Sequence, residues 1–186
     1  MQVHQAIQKR RAYRALQPVK ITDDLIEELI NSVQLSPSCY NNQPWRFVFS
    51  DDEDILDELL DALSEGNQNW AKHASLMVTV FSHPALDCNV KGRQYAFFDT
   101  GLATSFLLLR ATEMNLVAHP IAGYDEDRIK QILDIPDHMQ VITLVIIGKH
   151  DLESPKAEKE KNRPERLPHE KFAFRNRYTG DEVFES

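Results

Sequence analysis

Three arginines fall within five positions, Arg10, Arg11 and Arg14 of KRRAYR. A guanidinium is permanently charged, and its planar fork donates two parallel hydrogen bonds, which suits the oxygens of a carboxylate or phosphate. If residues 2–14 form one opening helix, Arg10 and Arg14 share a face and can converge on one anion. The plainer reading is a solvated face complementing the negative end of the helix dipole. The arginines alone do not choose between the two.

A second stretch, SPSCYNNQPWRF from Ser36 to Phe47, is dense in polar groups. Pro37 and Pro44 fix the backbone at both ends, while Ser38, Asn41, Asn42 and Gln43 supply hydroxyl and amide groups between them. It reads either as a ligand-holding arm or as a turn that satisfies its own backbone. Cys39 in its middle has no neighbouring base and no nucleophile elbow, which argues against covalent catalysis.

Other chemistries find little support. His4, His73, His83, His119, His138, His150 and His169 show no HExxH or paired spacing, so no metal site is expected. Cys39 and Cys88 form no CxxC and lie far apart in the chain, so neither a disulfide nor a thiolate metal site is expected, and a reduced cytoplasmic protein fits best. Neither GxGxxG nor GxxxxGK[ST] occurs, and the six glycines are scattered. Any phosphate must therefore be gripped by side chains.

The elements that would position these residues follow from periodicity. Thr22 caps a helix whose apolar face is Leu25, Ile26, Leu29, Ile30 and Val33, ending near Ser36-Pro37. WRFVFS is a short strand, DDEDILDELLDAL an acid-capped helix, and LMVTVFS a second strand. HPALDCNVKG is a loop into a long apolar helix, from about Arg93 to Asn115, that belongs to a core or a dimer interface. Phe97, Phe98 and Phe106 read as core at helical spacing, with the lining of a pocket as the alternative. LVAHPIA is a third strand, DEDRIKQIL a short helix, and VITLVIIG a strand buried on both faces. Four strands and about five helices make a body over residues 1–150. Residues 151–186 form a charged, proline-punctuated arm that wraps a partner or lacks order, with FAFRNRY able to add a strand to a sheet edge.

At 186 residues and 42% hydrophobic content the chain suits one domain with a proper core. Its formal charge of -8 argues against broad binding to nucleic acid or anionic membranes. No stretch matches a signal peptide or a membrane span of about 20 apolar residues.

Taken together, RRAYR, SPSCYNNQPWRF, PIAGYD and RLP at 166–168 resemble, in order and spacing, the motifs of the flavin-dependent nitroreductase family. The resemblance covers almost the whole chain and favours the anion-site reading of the arginines. It implies an α+β fold, a central, mainly antiparallel sheet flanked by helices, in an intertwined homodimer whose C-terminal tail adds to the partner's sheet. It further implies FMN at the subunit interface, NAD(P)H as hydride donor, and a nitroaromatic, quinone or activated alkene as acceptor.

By the same resemblance, Arg10, Arg11, Ala12 and Arg14 match the N-terminal flavin contacts, with Arg10 near the phosphate and Arg14 near the ring's pyrimidine edge. Pro37, Ser38, Cys39 and Asn41 match the segment lent by the second subunit, and Ala122 and Gly123 the turn beside flavin N5. Arg166, helped by Arg163, matches a phosphate contact, and Asn69 a weaker ring contact, ahead of Lys72. A fixed cation beside the ring stabilises its reduced anionic form, and a glycine lets backbone approach N5 closely. Ala12 and Cys39 stand where serines are common, and Ala122 where some members carry an acid. These departures keep a second reading open, a flavin-binding protein with a storage or regulatory role.

Overall fold

The computed structural model describes residues 1–180. Its centre is an antiparallel sheet of β1 (Leu16–Gln17), β2 (Arg46–Ser50), β3 (Leu76–Ser82), β6 (Val117–Ile121) and β7 (Gln140–His150), with a separate hairpin of β4 (Asn89–Val90) and β5 (Arg93–Gln94). The helices are α1 (Val3–Lys9), α2 (Asp23–Gln34), α3 (Glu53–Asp61), α4 (Glu65–Ala71), α5 (Ala96–Glu113), α6 (Glu126–Ile132) and α7 (Pro155–Lys159).

The β-branched run in β7 makes it the hub of the sheet. One of its edges pairs with β3, which continues to β2. The other pairs with β6 over Leu144–Gly148 and then with β1 over Lys149–His150. Because side chains alternate across a strand, β7 feeds two cores. Leu144 and Ile146 join Leu59, Trp70 and Ile129 on the α3, α4 and α6 face. Val145 and Ile147 join Leu29, Val33 and Leu107 on the α2 and α5 face. Leu29, Leu107, Leu144 and Ile146 are fully buried, and truncating any one to alanine costs about 2–5 kcal/mol.

Several expectations need correction. The opening helix stops at Lys9 rather than residue 14, and Arg10 follows it at φ -55, ψ 120. Residues 10–15 are extended because Leu16 and Gln17 pair with β7, so sheet pairing overrides helix propensity and Arg10 and Arg14 share no helical face. The central sheet has five strands, not four, since two-residue β1 carries no periodicity to read. The loop HPALDCNVKG contains a helical turn at Pro84–Leu86 and half of the β4–β5 hairpin. Phe98 and Phe106 are exposed at 62% and 37%, so α5 presents an apolar face that one chain does not cover.

Part of the arm packs on its own chain. Residues 155–163 fold back on their own chain through α7, and FAFRNRY forms no strand among the described residues. The end of the expected arm, residues 181–186, lies outside them.

Candidate functional site

The basic segment is held open by the tail. Glu160 accepts the amides of Arg14 at 2.7 Å and Ala15 at 3.3 Å, while the Arg11 guanidinium donates to the carbonyls of Glu160 (2.6 Å) and Asn162 (2.9 Å). Arg163 in turn donates to the carbonyls of Gln8 (2.5 Å) and Arg10 (3.2 Å). This brings Arg10, Arg11, Arg163 and Arg166 into one cluster. Burial, then the charges of Arg163, Arg166 and Arg11, press the Arg10 pKa below its ordinary value. No carboxylate forms an ion pair with any of these four guanidiniums, or with that of Arg14, among the described residues. A cluster of like charges without a counter-ion favours an anion beside it.

Beside it, α4 links the arginines to the Gly123 turn. Ser64 N and the Asn67 side chain, before and within the first turn of α4, both donate to the Gly123 carbonyl at 3.0 Å. A Cβ on Gly123 would lie 2.5 Å from Ser64 Oγ and 2.9 Å from Asn67 Nδ2, so glycine lets both side chains close against the turn. The Gly123 N–H makes no hydrogen bond among the described residues and remains available. Next to it the Tyr124 hydroxyl donates to Val141 O at 3.0 Å, and burial, with Glu126 nearby, pushes its pKa up to about 12.

At its other end α4 carries Trp70, buried with the Arg14 guanidinium over its ring at 5.9 Å and His119 stacked on it at 4.6 Å. His119 Nδ1 lies 3.1 Å from Tyr13 O, a contact that requires a proton on Nδ1 and ties β6 to the basic segment. Burial, the largest influence, holds the His119 pKa below its ordinary value, so the ring is neutral near pH 7.

The polar arm lies on the opposite side of the sheet, ahead of β2. From β1 and β6 to β2 is three strand spacings, about 14 Å. Within it Tyr40 (φ 48), Asn41 (φ 59) and Gln43 (φ 50) are left-handed, a conformation that costs non-glycine residues about 1–2 kcal/mol each. Ser38 holds the turn through its Oγ, which accepts Gln43 N at 2.9 Å, and its carbonyl, which accepts Asn41 N at 3.1 Å. Asp99, in the first turn of α5, accepts Cys39 N at 2.7 Å, and its pKa is raised by burial and by the neighbouring Asp87 carboxylate.

Contrary to expectation, Cys39 and Cys88 are joined in a disulfide, with Cα atoms 6.0 Å apart. Their separation of 49 residues is no obstacle, because the loop after β3 returns to the start of α5, where the arm also docks.

The structure thus gathers Arg10, Arg11, Ala12, Arg14, Ala122, Gly123, Arg163 and Arg166 along the β1 and β6 edge, and leaves Pro37, Ser38, Cys39 and Asn41 at the other. No hydrogen bond or ion pair joins the two groups among the described residues. Asn69 is exposed on α4, its carbonyl taking Lys156 Nζ at 3.3 Å. Three contributors escaped sequence reasoning: Asn67, Trp70 and Glu160. Asn67 lies two residues before the asparagine that was singled out, in a helix too short to show a period, and Glu160 lies in a charge-rich arm with nothing to distinguish it.

A model described as the nitroreductase family matches residues 7–149. A protein from Archaeoglobus fulgidus carrying a provisional NADH dehydrogenase/NAD(P)H nitroreductase name is 28% identical over 180 residues, covering 89% of this chain and 96% of its own. The solved structure of an oxidoreductase containing FMN is 31% identical, with a TM-score of 0.81 and coverage of 95% of this chain and 92% of that one. An FMN-dependent nitroreductase from Clostridium difficile shares the fold at a TM-score of 0.73 and 20% identity, over 93% of this chain and 98% of its own. Among the described residues no helix is long and apolar enough to cross a membrane.

Proposed function

The chain belongs to the nitroreductase family, and from that premise we propose that it is an FMN-dependent NAD(P)H oxidoreductase working as a cytoplasmic homodimer. The observation that carries the reading is the arginine cluster without a counter-ion. A phosphate monoester brings roughly two negative charges at neutral pH, and the cluster of Arg10, Arg163 and Arg166 fits it in charge.

FMN, when bound, supplies the two-electron chemistry that passes a hydride from a nicotinamide to an acceptor. The chain's own work is to bind and orient. Arg10, Arg163 and Arg166 grip the phosphate. Arg14, braced over Trp70, brings a fixed positive charge to the ring's pyrimidine edge. The free N–H of Gly123 faces the ring because Asn67 and Ser64 hold its carbonyl away. Pro37, Ser38, Cys39 and Asn41, beyond the far edge of the sheet in their own chain, serve the flavin of a second copy.

The uncovered apolar side chains Val3 (72% exposed) on α1, Leu35 (78%) just past α2 and Phe98 (62%) on α5 support that second copy. The acceptor class we assign is a nitroaromatic, quinone or activated alkene, each of which takes two electrons as a hydride and a proton. The test is reconstitution with FMN followed by turnover of NADH and NADPH with a quinone and with a nitroaromatic. Flavin uptake with turnover on either acceptor supports the proposal, and failure to take up flavin contradicts it. Uptake without any turnover returns the storage or regulatory reading to which Ala12, Cys39 and Ala122 pointed.

A further inference from the structure

Where the arm meets the loop after β3, Cys39 belongs to a second cluster besides its proposed place at the flavin, and Asp87 and Cys88 in that cluster have no part in the flavin site. The Sγ atoms of Cys39 and Cys88 and a carboxylate oxygen of Asp87 lie within 4.8 Å of one another, all three residues half-buried. Asp87 Oδ1 is occupied, accepting Cys88 N at 2.7 Å and Asn42 Nδ2 at 3.2 Å. Asp87 Oδ2 is buried and takes no hydrogen bond from a nitrogen or hydroxyl, and the Asp87 carboxylate faces the Asp99 carboxyl within hydrogen-bonding reach. Two facing carboxyls repel, and a cation beside them relieves the charge. Neither Asp87 nor its buried neighbour Asp99 forms a salt bridge among the described residues.

We propose that Cys39, Cys88 and Asp87 form a redox-gated site for zinc, closed while the two sulfurs are bonded to each other and open once a thiol reductant has parted them. This departs from the expectation that no metal is bound. Two thiolates and one carboxylate are a donor set for a borderline-soft divalent ion, and half-exposure leaves a fourth position for water. In the reducing cytoplasm that we propose for this protein, the dithiol is the prevailing form.

The chemistry balances as follows. A dithiol gives two electrons and two protons to the Cys39–Cys88 bond and leaves as its own disulfide, producing two cysteine thiols. Zinc then forms two Zn–S bonds, and both thiol protons pass to solvent. The sulfurs do not drift apart in between, because the backbone around them is pinned independently of the disulfide. Cys39 N is held by Asp99 at 2.7 Å, Asn42 N by Cys39 O at 3.1 Å, and Tyr95 N by Cys88 O at 3.1 Å. Cα atoms 6.0 Å apart let two cysteines share one tetrahedral ion at Zn–S distances of about 2.3 Å.

The experiment uses the full-length protein as purified. One portion is reduced with dithiothreitol and freed of it anaerobically, another is kept oxidised, and both are dialysed against buffered zinc before metal analysis. The expected result is one zinc per chain in the reduced protein and none above background in the oxidised protein. Cobalt in place of zinc should give thiolate-to-metal charge-transfer bands only after reduction. Cys88→Ser and Asp87→Ala should each lower zinc affinity by at least about tenfold in the reduced state, and circular dichroism checks that they fold. Reduced wild-type protein that takes up no zinc overturns the proposal, as does equal uptake by the oxidised form. Undiminished binding in a folded Cys88→Ser variant does so too.

Discussion

Arg10 is half-buried among like charges, and His119 is buried as a neutral ring against Trp70, so two adjacent residues carry opposite demands. The arginine calls for an anion, whereas the histidine resists a proton. Its folded pKa is lowered from about 6.5, so as pH falls below that value the unfolded chain takes up a proton that the native ring refuses. Native stability is therefore lost as pH falls through this window and is unaffected by His119 above it. His119→Phe keeps a ring on Trp70 but abolishes this titration. The slope of unfolding free energy against pH just below 6.5 should flatten by up to about 1.4 kcal/mol per pH unit, measured by urea unfolding. An unchanged slope would mean that His119 has the same pKa in the native and unfolded protein.

Among the elements, the short helix α4 does most to shape the site, since its start holds Gly123 and its end supports Arg14. Gly123→Ala places a methyl 2.5 Å from Ser64 Oγ and 2.9 Å from Asn67 Nδ2, so both side chains must swing aside and the Asn67 bond to the turn is disturbed. Flavin affinity should fall at least about tenfold in equilibrium dialysis, while Asn67→Ala, which removes one of two donors to the same carbonyl, should cost about 1 kcal/mol. The tail is tested separately. Glu160→Ala touches no arginine side chain but frees the amides of Arg14 and Ala15, so flavin should be held more weakly and the arginines should remain chemically intact. Equal flavin affinity in Glu160→Ala would show that the tail does not order the basic segment.

These elements also show what was legible in the sequence. Helix α2 stood out because its side chains repeat at a helical period, and strands β3, β6 and β7 because they are short, mostly apolar runs of the kind buried in a core. Strand β1 and helix α4 did not, because two and seven residues carry no usable period. Arg10, Arg11 and Arg14 were identifiable by type, yet their helical placement failed because β7 draws Leu16 and Gln17 into the sheet. The Cys39–Cys88 pairing was invisible for the same reason: it depends on where the loop after β3 returns, which spacing does not encode.

For the whole molecule, the proposed reading makes each flavin site the work of two chains, because the two residue groups lie apart across the sheet. Arg14→Ala and Asn41→Ala should each impair flavin binding when every chain carries the change. Unfolding, mixing and reassembling the two variants should restore about a quarter of the sites, because half of the dimers are mixed and each has one site with neither change. No recovery in mixed dimers of confirmed composition would place both residues at the same site from the same chain.

The central claim is that this fold passes electrons from a nicotinamide through a bound flavin. The most direct measurement is an anaerobic titration of FMN-reconstituted protein with NADH and, separately, NADPH, followed by the flavin's visible absorbance. The account predicts full bleaching at one equivalent of at least one nicotinamide per flavin, and return of the colour on addition of a quinone. Protein that binds flavin yet stays yellow in excess of both nicotinamides would contradict it.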